Sequence, residues 1–165
     1  NKPIGVVSAT SDDQHKTVID LLDQAIKRSL HIAGRLDLNS SGLLLLTNDS
    51  CWSRKLMQPE KKIPKVYQVT TKNPIDSEYI EAFKAGMYFS YEDITTKPVT
   101  LKIVDTNRAE LLLTEGRYHQ IKRMFGRFRN PVLSIHRSAI GSITLDPLLA
   151  LGESRNLKAC EINSL

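Results

Sequence analysis

The sequence predicts an α+β fold: a mixed, mostly antiparallel β-sheet with peripheral helices. Three observations carry that expectation. Leu43 to Leu46 form a four-leucine run closed by Asn48-Asp49, too short for a comfortable helix and apolar enough for a strand buried on both faces. Val99, Leu101 and Ile103 alternate with Thr100 and Lys102, and beyond the turn Asp105-Thr106-Asn107 the run Ala109 to Thr114 returns, as in an antiparallel hairpin. Ile121, Met124, Phe125 and Phe128 stand at i, i+3, i+4 and i+7, the stripe of a helix packed on a core.

Taken in order, Ile4 to Val7 reads as a short strand and Ser8 to Lys16 as a polar loop. Thr17 suits an N-cap with Asp20 in the third helical position, and Val18, Leu21, Leu22, Ala25 and Ile26 extend an amphipathic helix to about Ser29. The leucine run then supplies a strand at the middle of the core. Asp49 or Ser50 caps a helix over Cys51 to Gln58, which Pro59 ends, and Glu60 to Lys65 is an exposed basic loop. Val66 to Thr71 is a β-branched and aromatic strand in which Tyr67 and Val69 share a face. Asp76 caps a helix carrying Ile80 and Phe83, and Gly86 stops it. After the hairpin comes the Ile121 helix, which Asn130-Pro131 breaks. Val132 to Ile135 and Ala139 to Thr144 read as two further strands.

At 165 residues, 41% hydrophobic and 25% charged, the chain suits one ordinary globular domain with a core of its own. No apolar run is long enough for a transmembrane helix or a signal sequence. Cys51 and Cys160 have neither metal-ligand nor disulfide-framework spacing and read as reduced thiols of a cytoplasmic protein. The start at Asn1, without an initiator Met, suggests a fragment or a trimmed domain. Net charge is +5, and between Glu115 and Asp146 no acidic residue occurs, while Arg117, Lys122, Arg123, Arg127, Arg129 and Arg137 all fall inside. A one-sign stretch of that kind is either a phosphate-binding face or a solvated helix surface. In the helix, Lys122 falls on the flank of the apolar stripe and Arg123 near the opposite pole, facing solvent or RNA.

Four histidines, His15, His31, His119 and His136, show no metal spacing, so no metal is expected. Phosphate loops of the Walker or Rossmann type are absent, as is a Gly-x-Ser-x-Gly elbow. What remains is a carboxylate at the mouth of a strand, Asp37 beside Arg35, together with a strand tyrosine and a basic helix. Those suit an enzyme acting on a nucleic acid without a cofactor. Asp37, two residues before Asn39-Ser40-Ser41-Gly42, also suits a simple turn residue.

The order of the motifs resembles the RsuA-type branch of ribosomal RNA pseudouridine synthases. The matching residues are Asn1-Lys2-Pro3-x-Gly5, then Gly34-Arg35-Leu36-Asp37-x4-Gly42-Leu43-Leu44-Leu45-Leu46-Thr47-Asn48-Asp49 and Lys65-Val66-Tyr67-x-Val69. Thr96-Lys97-Pro98, Glu115 to Phe125 and His136-Arg137-x2-Ile140-Gly141 follow in family order. The resemblance implies the pseudouridine synthase fold over 1–165, with the Asp37 loop in a central active-site cleft, and isomerisation of one uridine in ribosomal RNA, breaking the N1–C1′ bond and rejoining through C5, without metal or cofactor. It implies Asp37 as the reacting carboxylate, nucleophile or base, and Lys122 as the cation that holds it ionised. Tyr67 would stack on the extruded uracil and help remove the C5 proton. Arg35 would help hold the flipped nucleotide, and Arg117, Arg123, Arg127 and Arg137 would bind RNA.

Departures from the family pattern are Ser41 for Thr, Ser50 for Gly and Lys122 for Arg. The last replaces a planar fork by a point charge. The family's small N-terminal S4-like domain is not among these residues: either it was removed with the missing start, or the protein relies on the catalytic domain alone. The Glu-Gly-Arg-Tyr-His-Gln-Ile-Lys-Arg-Met-Phe form leans to small-subunit 16S over large-subunit 23S RNA as partner. A catalytically silent RNA-binding or assembly factor is the alternative of another class. A monomer is the default.

Overall fold

The structure, a computed structural model, describes residues 1–23 and 25–164, with backbone only at Arg28. Its elements are mixed α and β with mostly antiparallel pairing, as expected. The chain forms two compact units: Asn1–Ile63 with His136–Leu165 (unit 1), and Pro64–Ile135 (unit 2).

In unit 1 the strand expected at Ile4 to Val7 is absent. Gly5 turns the chain at φ +82°, leaving only isolated bridges from Lys2 to Gly42 and from Val7 to Thr17. The helix expected from Thr17 to about Ser29 is instead two 3-10 turns, Ile19–Leu21 and Lys27–Ser29, and Gln24 of that expected span lies outside the described residues. The capping chemistry does form: the Thr17 hydroxyl donates to Asp20 Oδ2 at 2.8 Å, and the Thr17 N–H to the same atom at 2.9 Å. Leu22 then turns extended, so Val18, Ile19 and Leu22 bury against Val6. Burial outweighs helix propensity, which is worth only tenths of a kcal/mol per residue.

The leucine run packs on both faces, Leu43 and Leu45 buried and Leu44 and Leu46 partly buried, but in a small ribbon rather than the large sheet. Strand β3 (Leu45–Thr47) pairs antiparallel with β1 (His31–Ala33), with Ala33 opposite Leu45. Leu43 and Leu45 join Ala33, Leu56, Ile140 and Ile143, while Leu44 and Leu46 pack on the cluster of Val6, Val18, Ile19 and Leu22. That is strand alternation acting between two cores. Helix α1 (Ser50–Met57) is capped as expected, Asp49 accepting from the Cys51 and Trp52 N–H groups at 2.8 and 3.0 Å. Pro59 opens a 3-10 turn, Pro59–Lys61.

Strand β2 (Ser41–Gly42) runs parallel to β9 (Val132–Ile140), with Ser41 opposite His136 and Gly42 opposite Arg137. The two strands expected over 132–144 are one nine-residue strand followed by β10 (Ile143–Thr144), which turns back on it. The polar residues His136 and Arg137 do not interrupt β9 because both find partners inside unit 1.

In unit 2, β4 (Lys65–Thr71) pairs antiparallel with β8 (Arg108–Leu113), and β8 with β7 (Thr100–Asp105), in the order β9-β4-β8-β7. Tyr67, Val69 and Thr71 bury one face of β4. Helix α2 (Ser77–Ala85) has Asp76 as its cap and Gly86 at its end, and buries Tyr79 and Phe83 rather than Ile80. Helix α3 (Gln120–Gly126) ends before Phe128, whose ring nevertheless stacks on Tyr79 with centroids 4.0 Å apart. A short hairpin of β5 (Tyr88–Phe89) and β6 (Ile94–Thr95) carries no alternation long enough to read from sequence.

Candidate active site

The Asp37 loop, residues 34–43, belongs to unit 1 and is held along its length. Asp37 carries its half-buried side chain at the first position of a turn closed by Ser40 N–H on the Asp37 carbonyl at 3.1 Å. Before it, Leu36 is buried, and its carbonyl and N–H both bond the buried Ser8 hydroxyl, at 2.7 and 3.1 Å. After it, Gly5 N–H reaches the Leu38 carbonyl at 2.9 Å, and Lys2 and Gly42 exchange backbone bonds at 2.8 and 2.9 Å. The N-terminal segment is therefore the floor of this loop.

Lys2 is 2% exposed, and its ammonium donates to the carbonyls of Ser40 at 2.8 Å and Pro3 at 3.0 Å. Burial lowers its pKa to about 8; the Asp37 carboxylate opposes that fall, and Arg137 adds to it. Lys2 is thus a cation within electrostatic reach of Asp37. Sequence reasoning matched it within Asn1-Lys2-Pro3-x-Gly5 but did not connect it to the acid. A lysine beside a proline at the start of a chain gives no local sign of burial.

Arg137 corrects an expectation. It is 1% exposed and cannot present its guanidinium to RNA. Its Nε donates to the Leu43 carbonyl at 2.8 Å, Nη2 to Gly34 at 2.9 Å and Nη1 to Arg35 at 3.3 Å. Arg35, by contrast, is exposed.

Tyr67 and Lys122 belong to unit 2. Tyr67 stands on β4 opposite Leu111 and is 8% exposed, while Lys122 is half-buried on α3. The approach to α3 is fixed by a buried network. Gln120 donates to Glu115 Oε1 at 2.8 Å, accepts from Arg117 N–H at 3.1 Å, and the same Glu115 oxygen accepts from Lys97 N–H at 2.9 Å. That network ties the Thr96-Lys97-Pro98 and Glu115 to Gln120 motifs together physically.

The acid-free stretch is less one-signed in space than in sequence. Arg123, placed by periodicity at the solvent pole, lies 3.8 Å over the Phe89 ring and makes a two-pronged ion pair with Glu92, whose carboxyl it holds below its usual range. Arg117 Nε donates to Glu115 at 3.1 Å, and Arg127 reaches the Tyr88 carbonyl at 3.3 Å. The β5–β6 hairpin thus takes up Arg123, expected on RNA, while Arg127 stays exposed beside it. Among the described residues no group of three His, Cys, Asp or Glu side chains is placed to hold a metal ion. None of their helices is long and apolar enough to cross a membrane.

The fold is shared with catalysts of one reaction class. The sequence profile of the RNA pseudouridylate synthase family matches residues 1–126, and a crystal structure of a pseudouridylate synthase, 40% identical, superposes with a TM-score of 0.96 over 99% of this chain and 70% of that one. The chain belongs to the RNA pseudouridylate synthase family and is an isomerase. Among its relatives, ribosomal small subunit pseudouridine synthase A of Pseudomonas aeruginosa is 52% identical over 165 residues, the whole of this chain and 72% of that protein. The protein of the same name from Escherichia coli K12 is 42% identical over the same span, 71% of its length. A chain of an archaeal box H/ACA sRNP Nop10-Cbf5 complex shares the fold, with a TM-score of 0.60 at 16% identity.

Proposed function

We propose that this protein isomerises one uridine of small-subunit ribosomal RNA to pseudouridine, with Asp37 as the reacting carboxylate. The observation that supports the substrate is the similarity, unbroken over the whole chain, to relatives named for the ribosomal small subunit. A family match that runs from unit 1 through most of unit 2 supports reading 1–165 as one catalytic domain. The free, exposed thiols Cys51 and Cys160 fit a reducing cytoplasm. Each chain carries every residue invoked, so the monomer is the proposed working unit.

In the proposed reaction the N1–C1′ bond of the target nucleotide breaks, the uracil turns, and C5 bonds to C1′. C5 gives up its proton and N1 gains one, so the composition of the RNA is unchanged and no cofactor is consumed. Asp37 acts ionised, as nucleophile at the sugar or as base. A carboxylate on a loop tied down by Ser8, Lys2 and Arg137 has little freedom to lose on meeting its target, which favours reaction. By the family resemblance Lys122 is assigned the role of a cation in the reaction, and Tyr67 that of a ring for the extruded base with a hydroxyl for the C5 proton. Arg35, Arg117 and Arg127 are assigned to the RNA; Arg123 joins them only by exchanging Glu92 for a phosphate.

Asp37→Asn tests the reading, because it removes the ionisable group with almost no change of volume. Pseudouridine formed on a small-subunit rRNA transcript, measured by chromatography of its nucleosides, is expected to vanish while RNA affinity stays within about threefold. Activity of Asp37→Asn near that of the parent protein would refute the assignment. Mapping pseudouridine in cells lacking the protein identifies the substrate: one site lost from small-subunit RNA is expected, and an intact set of sites favours a binding-only role.

A further inference from the structure

We propose that Arg137 is a positioning residue for the reaction: its guanidinium ties the two ends of the Asp37 loop to each other and so sets where the carboxylate stands. The proposal rests on the reading of Asp37 as the reacting group. Gly34 and Arg35, whose carbonyls take Nη2 and Nη1 at 2.9 and 3.3 Å, lie just before Asp37, and Leu43, whose carbonyl takes Nε at 2.8 Å, closes the loop after it. One rigid, planar group therefore fixes the separation of both ends, which a flexible point charge such as lysine cannot do.

The backbone of the same residue adds to the grip. Leu43 N–H donates to the Arg137 carbonyl at 2.7 Å, and Gly42 lies so close that a Cβ there would stand 2.3 Å from that oxygen. Burying a guanidinium at 1% exposure is costly unless its donors are satisfied. Here three of them are spent on the loop that carries Asp37. A residue whose only task was to fill the core could be apolar at lower cost. At 1% exposure the guanidinium is out of reach of an RNA, and its three bonds all go to backbone carbonyls of this loop.

The test is steady-state kinetics of Arg137→Lys and Arg137→Met on a small-subunit rRNA transcript, with amide hydrogen exchange followed over peptides spanning 34–43. Displacing a reacting group by an ångström costs on the order of a hundredfold, so kcat is expected to fall between about tenfold and a hundredfold. KM should stay within about threefold, since the residue touches no RNA. Exchange over 34–43 should quicken while unit 2 peptides keep their rates. A folded Arg137→Lys protein with the parent kcat overturns the proposal, and so does a raised KM at unchanged kcat, the signature of an RNA contact. If both variants fail to fold, exchange of the Arg137 Nε–H in the parent protein decides: slow exchange, as in the core, supports the grip and fast exchange overturns it. Failure of the underlying reading is separate, because only an active Asp37→Asn protein would show it.

Discussion

Gly42→Ala puts the packing behind the Asp37 loop to a quantitative test. Gly42 sits at φ +108°, where an L residue is strained by about 1–3 kcal/mol. Its new methyl would stand 2.3, 2.7 and 2.9 Å from the Arg137 carbonyl oxygen, amide nitrogen and carbonyl carbon. None of these is the end of a flexible side chain, so β2 must separate from β9, and overpacking of that kind costs about 1–3 kcal/mol more. The sum, about 2–6 kcal/mol, is a large part of the stability of an ordinary domain. It corresponds to a fall in Tm of roughly 5–20 °C at this chain length. Trp52 is the single tryptophan and lies in unit 1, so its fluorescence in a denaturant titration reports the unit that holds Gly42. Gly126→Ala serves as control, because a Cβ there meets nothing within 4 Å. A Gly42→Ala protein within about 1 kcal/mol of its parent would refute the close approach of β2 to Arg137 and the reasoning built on it.

Other perturbations follow from single contacts. Lys2 has its pKa lowered to about 8, so between pH 8 and its unfolded value the unfolded chain binds more protons and stability should rise with pH. Below pH 8 the charged, buried ammonium is a constant penalty. Stability measured against pH should show that rise in the parent protein and lose it in Lys2→Met; identical slopes would refute the assignment. Asn130 is 1% exposed, accepts from Asn73 N–H at 2.9 Å, and donates to the Asn73 carbonyl at 3.0 Å and the Tyr79 hydroxyl at 3.1 Å. Asn130→Ala should destabilise unit 2 by about 2–3 kcal/mol in chemical denaturation, and a loss under 1 kcal/mol would show the network to be dispensable. Asp49→Ala removes both cap bonds of α1 and should cost about 1 kcal/mol by the same measurement.

Local chemistry was the legible part of this chain. Asp49 and Asp76 each cap the helix expected of them, because an Asx cap needs only the next three residues. The alternation of Val99, Leu101 and Ile103 gave the hairpin, and the leucine run gave a strand packed on both faces, one buried and the other partly so. Errors came where a distant partner decides. Thr17 and Asp20 form their cap, yet the segment after them is drawn into a core instead of continuing as a helix. Asn130 reads as a helix breaker before Pro131, and only folding shows it bonded to Asn73 and Tyr79.

The sequence by itself determined the fold class, the motif order and the candidacy of Asp37, since motif order and short-range periodicity are properties of the chain. Tertiary structure decided the duties of the cations. Arg137 and Arg123 look alike in an acid-free stretch, but the first is buried among loop carbonyls and the second is paired with Glu92, some thirty residues earlier in the chain. Charge is balanced through space over a few ångströms, and neighbours at that range need not be neighbours in sequence.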